Sequence, residues 1–117
     1  MTRVLLGLLL ACSAIVASGC ASSGGAGASP VATDHVDLPK SYLFSPAAIT
    51  VKAGTTVTFT NSDNFPHTIQ LLDPTPDTPR PLGLGQSVTV TFATPGLIHY
   101  QCSLHPQNMQ GTVLVTS

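Results

Sequence analysis

Short runs that alternate apolar and hydroxyl side chains constrain this fold more than any other feature of the chain. The run TTVTFTN at residues 55–61 places Val57 and Phe59 on one face and threonines on the other, and SVTVTF at 87–92 alternates similarly. Turns containing Gly or Pro separate the further runs AITVKAG, HTIQLL, GLIHYQC and GTVLVTS. Period-two alternation is typical of half-buried strands, so the sequence predicts an all-β sandwich or barrel.

One irregular segment interrupts this pattern. Residues 73–86, DPTPDTPRPLGLGQ, contain four prolines, which lack backbone N–H donors. We therefore predict a surface loop between strands at this point.

The first 34 residues predict an export signal and a tether. Residues 1–19 contain Arg3 and the run VLLGLLLACSAIV, which is too short to span a bilayer stably but typical of a secretory signal. The signal ends in VASGC, which resembles the lipobox of bacterial lipoproteins although Ala17 stands where leucine is favoured. We expect lipidation of Cys20, with plain signal cleavage as the alternative. Residues 20–34 then tether a domain at 35–117 to a membrane, facing the periplasm or cell exterior.

The charge content excludes some partners. The chain has four Lys and Arg residues against five Asp and Glu, and its formal net charge is −1. Nucleic acid binding needs a basic patch, which is missing, so we expect no nucleic acid partner. Separately, we expect a monomeric protein. Charge blocks typical of interaction tails are also missing from the sequence.

The cysteines point to a metal site in the predicted domain. Cys12 leaves with the signal and Cys20 is the lipidation site, so Cys102 is the domain's one thiol. A lone cysteine in an exported protein is reactive, forms an intermolecular link, or binds a metal. The stretch CSLHPQNM adds His105 and Met109 within eight residues, which favours the metal.

Strand parity predicts which side chains point inward. If GLIHYQC is a strand, Ile98, Tyr100 and Cys102 share its core face and His99 faces out. We expect His67, which opens the run HTIQLL, at the same end of the sandwich. His35 and His99 are predicted to be solvated surface residues.

A thiolate, two imidazoles and a thioether form a soft ligand set that selects copper in both oxidation states. Zinc also fits such a site but gains little from the thioether. The alternatives are an inert buried thiol at Cys102 and a core methionine at Met109. Gln107 or Gln110 would then supply an axial oxygen.

Three motifs resemble a known family. PHTI with His67, FATPGLIHYQC with Cys102, and CSLHPQNMQG are similar to cupredoxins of the plastocyanin, amicyanin and pseudoazurin group, over residues 41–115. The resemblance implies a Greek-key β-sandwich of seven or eight strands and one type 1 copper. It further implies that His67 and His105 bind the copper through imidazole, Cys102 through thiolate, and Met109 axially.

The chain departs from the family pattern at three positions. Three residues separate His105 from Met109, whereas the amicyanin-like pattern has two and the plastocyanin-like pattern four. Thr68 stands where the family often has asparagine, and we expect its hydroxyl to bond toward Ser103 and brace the site. Ile98 occupies a position where an aromatic residue is usual.

The function implied by the resemblance is one-electron transfer between extracytoplasmic redox partners, without enzymatic activity. Pro66, Leu104 and Pro106 are predicted to form an apolar docking patch around His105, suited to transient encounters. The first alternative is a copper carrier or buffer lipoprotein without redox traffic. The second is a metal-free β-sandwich that acts as an adhesion or scaffold module.

Overall fold

The structure, a computed structural model, describes residues 29–117. The predicted signal, Cys20 and the first part of the predicted tether lie outside the described residues. Among residues 29–117 no helix is long and apolar enough to cross a bilayer. Nine strands occupy this part of the chain: β1 (Val31–Ala32), β2 (His35–Leu38), β3 (Ala48–Lys52), β4 (Thr55–Asn61), β5 (His67–Leu71), β6 (Arg80–Leu82), β7 (Ser87–Phe92), β8 (Gly96–Gln101) and β9 (Gln110–Thr116).

The strands form two sheets that pack face to face. The larger sheet has the order β1-β3-β9-β8-β5-β6, and the smaller has the order β2-β4-β7. β3 pairs with β9 in parallel, and β8 pairs with β9 antiparallel, so β9 lies inside the larger sheet. The chain passes repeatedly from one sheet to the other, as it does in a β-sandwich. The predicted all-β fold is confirmed.

The core lies between the two sheets, on the faces that the alternation predicted. Val57 and Phe59 of β4 are fully buried, and the threonines that alternate with them are not. Tyr100 lies near the centre, with its ring centroid 4.7 Å from that of Phe44 and 5.3 Å from that of Phe59. Burial raises the pKa of the Tyr100 phenol well above its ordinary value.

The runs predicted from the sequence miss three strands, β1, β2 and β6. The segment at 73–86 is not wholly irregular, because β6 pairs antiparallel with β5 there, with Pro81 opposite Thr68. A proline can occupy this strand since β6 is at the edge of its sheet, where a missing N–H is tolerated. At the other edge of this sheet lies β1, which belongs to the stretch assigned to the tether and pairs with β3.

Candidate metal centre

Cys102 immediately follows β8, and its side chain points into the core. Cys102 and Tyr100 are fully buried, whereas the side chain of His99 is 53% exposed. The inward and outward faces predicted for this strand are therefore confirmed. As a result, the thiol lies where the larger sheet ends.

His67 begins β5 and is also buried. Its Nδ1 atom lies 3.8 Å from the Sγ atom of Cys102. β5 pairs with β8 only at Gln70–Gln101 and Leu71–Tyr100, so the ladder stops before it reaches His67. The two strands separate there, which leaves room between the imidazole and the thiol.

The loop after Cys102 brings His105 and Met109 to the same end. The N–H of His105 donates to the carbonyl of Cys102 at 3.1 Å, and the N–H of Met109 donates to the carbonyl of His105 at 2.9 Å. The second bond closes a single helical turn, in which residues four apart lie on the same side. The unusual three-residue gap therefore matches one turn. Met109 is fully buried, and its carbonyl accepts the N–H of Cys102 at 3.0 Å.

The spacing of the donor atoms fits one metal ion. The donor atoms of His67, Cys102 and His105 lie within 4.8 Å of one another, and Cys102 Sγ is 3.8 Å from Nδ1 of each histidine. Zinc binds sulfur at about 2.3 Å and nitrogen at about 2.0 Å. With such bond lengths, a sulfur and a nitrogen bound to one ion lie about 3.7 Å apart at a trigonal angle and about 3.5 Å apart at a tetrahedral angle. The observed spacing of 3.8 Å is close to both values, so the three donors fit around one ion, as the donors of His₂Cys copper sites do.

Comparison with known proteins identifies the fold and the cofactor. Residues 8–115 match the family described as cupredoxin-like domain. The chain belongs to the cupredoxin family. The resemblance drawn from the sequence motifs is thereby confirmed. One copper ion is the cofactor of this cupredoxin, and electron transfer is its general role.

Individual relatives cover most of the described residues. The cupredoxin is 34% identical over 84 residues to plastocyanin of Scenedesmus fuscus, a match that spans 62% of this chain and 86% of the relative. A purple cupredoxin from Nitrosopumilus maritimus has 31% identity and a TM-score of 0.64, over 70% of this chain and 98% of that one. A copper-containing nitrite reductase from Thermus scotoductus has 30% identity and a TM-score of 0.63, over 80% of this chain but 24% of that one.

Thr68 links the segment that carries His67 to the segment that carries Cys102. Its Oγ1 atom accepts the N–H of Ser103 at 2.8 Å and lies 2.8 Å from the Ser103 hydroxyl. The N–H of Thr68 also donates to Cys102 Sγ at 3.4 Å. The expected contact between Thr68 and Ser103 is present. It connects the two segments at a point where β5 and β8 have no backbone pairing. The role of this contact as a brace for copper stays a prediction.

Thr68→Val should loosen this link without changing the side-chain shape. The Ser103 N–H, which is part-buried, then loses its acceptor, so the metal-free protein should lose about 1–3 kcal/mol of stability. The reduction potential of the copper protein should shift as well.

Denaturant unfolding and voltammetry test this prediction against Thr56→Val. That control removes a hydroxyl whose bond to Thr91 is exposed, so it should change stability by less than about 0.5 kcal/mol. Equal losses in the two variants would contradict the role given to Thr68.

Asp63 is a site residue that sequence reasoning missed. Its Oδ2 atom lies 2.8 Å from Nε2 of His67, and the two side chains are 3% and 0% exposed. The hydrogen bond from His67 holds the pKa of this carboxyl below its ordinary value, and the N–H of Asn64 assists while burial opposes. In the sequence, Asp63 looks like an ordinary turn residue of NSDN, so no signal marks it.

An aromatic pair beside the histidines was also missed. The ring of Tyr42 stacks on that of Phe65, with the two centroids 5.8 Å apart. It also packs in a T-shaped arrangement with the ring of His105, with a centroid distance of 4.9 Å. Tyr42 has φ of 54°, a left-handed conformation that is uncommon for a residue with a side chain. The exposed Phe65 lies next to Pro66, so this pair extends the apolar surface around the site.

The residues predicted for docking are all on the surface. Leu104 is 55% exposed. Pro66, which precedes His67, and Pro106, which follows His105, are also exposed. His105 itself is half-buried, whereas His67 is buried. Of these two histidines, His105 is therefore the one that reaches the surface.

Proposed function

We propose that this cupredoxin shuttles single electrons between extracytoplasmic redox partners, with one type 1 copper held by His67, Cys102, His105 and, axially, Met109. The observation that carries the proposal is the ligand triangle, in which the thiol lies 3.8 Å from Nδ1 of both imidazoles. A copper ion bound there supplies a reversible one-electron change. Soft sulfur and borderline nitrogen donors suit both of its oxidation states.

The chain's own contribution is rigidity and dryness. Cys102 and His67 are buried at the ends of paired strands, and the turn from His105 to Met109 is closed by backbone hydrogen bonds. Donors held in this way keep their positions when the charge of the site changes, and buried walls keep water from the metal. We infer no enzymatic activity, because a ligand set closed by four side chains leaves no open position for a substrate.

His105 provides the route for electrons. Its half-buried ring lies between the exposed residues Leu104 and Pro106 in sequence, Tyr42 packs against it, and the exposed Pro66 precedes His67. None of these neighbours is charged, so the surface favours short, weak encounters with protein partners.

The N-terminal sequence supports a proposal for the location of the protein. We propose that residues 1–19 direct export, that Cys20 carries a lipid, and that residues 20–34 tether the domain at 35–117 to a membrane facing the periplasm or cell exterior. The apolar run and the VASGC motif support this arrangement, as does the family of the relatives.

Spectroscopy of the copper(II)-loaded protein tests the copper site. We expect intense blue absorption, narrow copper hyperfine splitting in EPR, and rapid reversible reduction. Pale colour with ordinary splitting would refute the type 1 assignment. Copper that exchanges within seconds with a chelator would instead favour the carrier function, which the buried ligands oppose.

The docking surface is tested by electron self-exchange between oxidised and reduced copies. Leu104→Glu places like charges face to face and should slow self-exchange at least tenfold at low salt, with relief as salt screens the charges. Leu97→Glu is the matched control, because Leu97 is similarly exposed but lies at the opposite end of β8. Equal slowing in both variants would refute this docking surface.

A further inference from the structure

We infer that Asp63 is a positioning residue of the copper site, which fixes the orientation of His67 and biases the bound copper toward the copper(II) state. The inference rests on the ligand set proposed above. It concerns the potential of the site, whereas the proposed function concerns the role of the protein.

The contact between Asp63 and His67 is built into the core. The carboxylate oxygen Oδ2 and the ring nitrogen Nε2 are 2.8 Å apart, and both side chains are almost completely buried. Water therefore has little access to this hydrogen bond. A buried charge is costly unless it is paired, so a carboxylate at this position indicates a specific role.

The carboxylate is itself held in place by the loop that precedes β5. Its Oδ1 atom accepts the N–H of Asn64 at 2.6 Å, and the N–H of Asp63 donates to Oδ1 of Asn61 at 2.9 Å. The amide of Asn61 in turn donates to the carbonyls of Phe65 and Leu82. Because every member of this chain of bonds is anchored to backbone, the oxygen facing His67 has one position.

This contact decides which ring nitrogen carries the proton. An ionised carboxylate only accepts hydrogen bonds, so Nε2 of His67 is the protonated nitrogen. Nδ1 then presents its lone pair, and it is this atom that lies 3.8 Å from Cys102 Sγ. Such outer carboxylates orient histidine ligands and raise their basicity in metal sites generally.

The two histidines of the site differ in this respect. Among residues 29–117 no carboxylate lies within ion-pair distance of His105, whose ring is half-buried. The negative charge thus reaches the metal position from the buried side, through His67. A fixed anion stabilises the more positively charged of two metal states, which is copper(II).

The expected change in reduction potential follows from the usual cost of losing a residue that hydrogen-bonds to a metal ligand. Loss of an outer-shell partner costs about 10–100-fold in metal affinity. We expect Asp63→Asn to lower copper(II) affinity about 10–100-fold and to leave copper(I) affinity nearly unchanged. A tenfold change corresponds to about 59 mV for one electron, so the reduction potential should rise by about 60–120 mV.

Voltammetry of Asp63→Asn against Asp73→Asn provides the test. Asp73 also pairs with a histidine, His99, at 2.6 Å, but His99 faces away from the site, so this control makes the same charge change elsewhere. We expect the rise in potential and the loss of copper(II) affinity for Asp63→Asn alone. Equal potentials in the two variants would overturn the inference.

A second measurement does not depend on a variant that folds. Nitrogen-15 chemical shifts of the metal-free wild-type protein should show a proton on Nε2 of His67, the nitrogen that faces Asp63. A proton on Nδ1 would overturn the positioning role. If wild-type copper protein lacks the type 1 spectrum, the proposed function fails. If it has that spectrum and the two asparagine variants behave alike, only the inference about Asp63 fails.

Discussion

Cys102→Ala should give a folded protein that has lost the intense blue absorption completely. Cys102 is the free cysteine among the described residues, and the colour of such sites depends on the thiolate bond to copper. Copper affinity should fall by more than the roughly 10–100-fold that an outer-shell partner costs. The fold should survive, because removing one buried sulfur from the core costs about 1–2 kcal/mol.

Absorption spectra and copper titration of the purified variant check this result, with Met109→Leu alongside. That variant keeps the three donors of the trigonal plane, so it should remain blue and shift only in potential. A blue Cys102→Ala protein would refute the ligand set. A colourless Met109→Leu protein would show that the methionine is more than a weak axial ligand.

Gly111→Ala should strongly destabilise the fold. Gly111 pairs with Tyr100 across β8 and β9, and an added Cβ would collide with the Tyr100 ring and lie 2.6 Å from the carbonyl oxygen of Ala47. Neither neighbour can move away, since Tyr100 is wedged between Phe44 and Phe59 and the Ala47 carbonyl accepts a backbone hydrogen bond. We expect a loss of about 3 kcal/mol or more.

Thermal unfolding of the metal-free protein measures this loss. A cost of about 3 kcal/mol lowers the midpoint by about 12–24 °C in a domain of this size. Gly83→Ala is the control, because its added methyl group meets only the end of the flexible Gln86 side chain, which can turn into solvent. Similar midpoints for the two variants would mean that the sheet can relax around residue 111.

Much of the fold was predictable because one physical rule governs it. Alternation placed Val57, Phe59, Tyr100 and Cys102 on the core faces that they occupy. The same rule placed Cys102 at the end of β8, and the position of His67 at the start of β5 placed it at the same end of the sandwich. His105 must lie near Cys102 because the two are only three residues apart in the chain.

The features that escaped prediction depend on contacts that have no periodic signal. β6 contains a proline, so only its place at the sheet edge makes it a strand. Asp63 is indistinguishable from a turn residue until its burial is known, and Tyr42 reaches the histidines from a different loop. Lipidation of Cys20, the domain limits and the axial bond of Met109 stay predictions.

The position of β9 has a consequence for when copper can be captured. β9 lies between β3 and β8, so residues 110–116 must be added to the chain before the larger sheet can form. Until then, the two ends of the turn from Cys102 to Met109 lack the β8–β9 pairing that holds them together, including the bond from the N–H of Cys102 to the carbonyl of Met109. We therefore expect the complete donor set to assemble only when the larger sheet has formed.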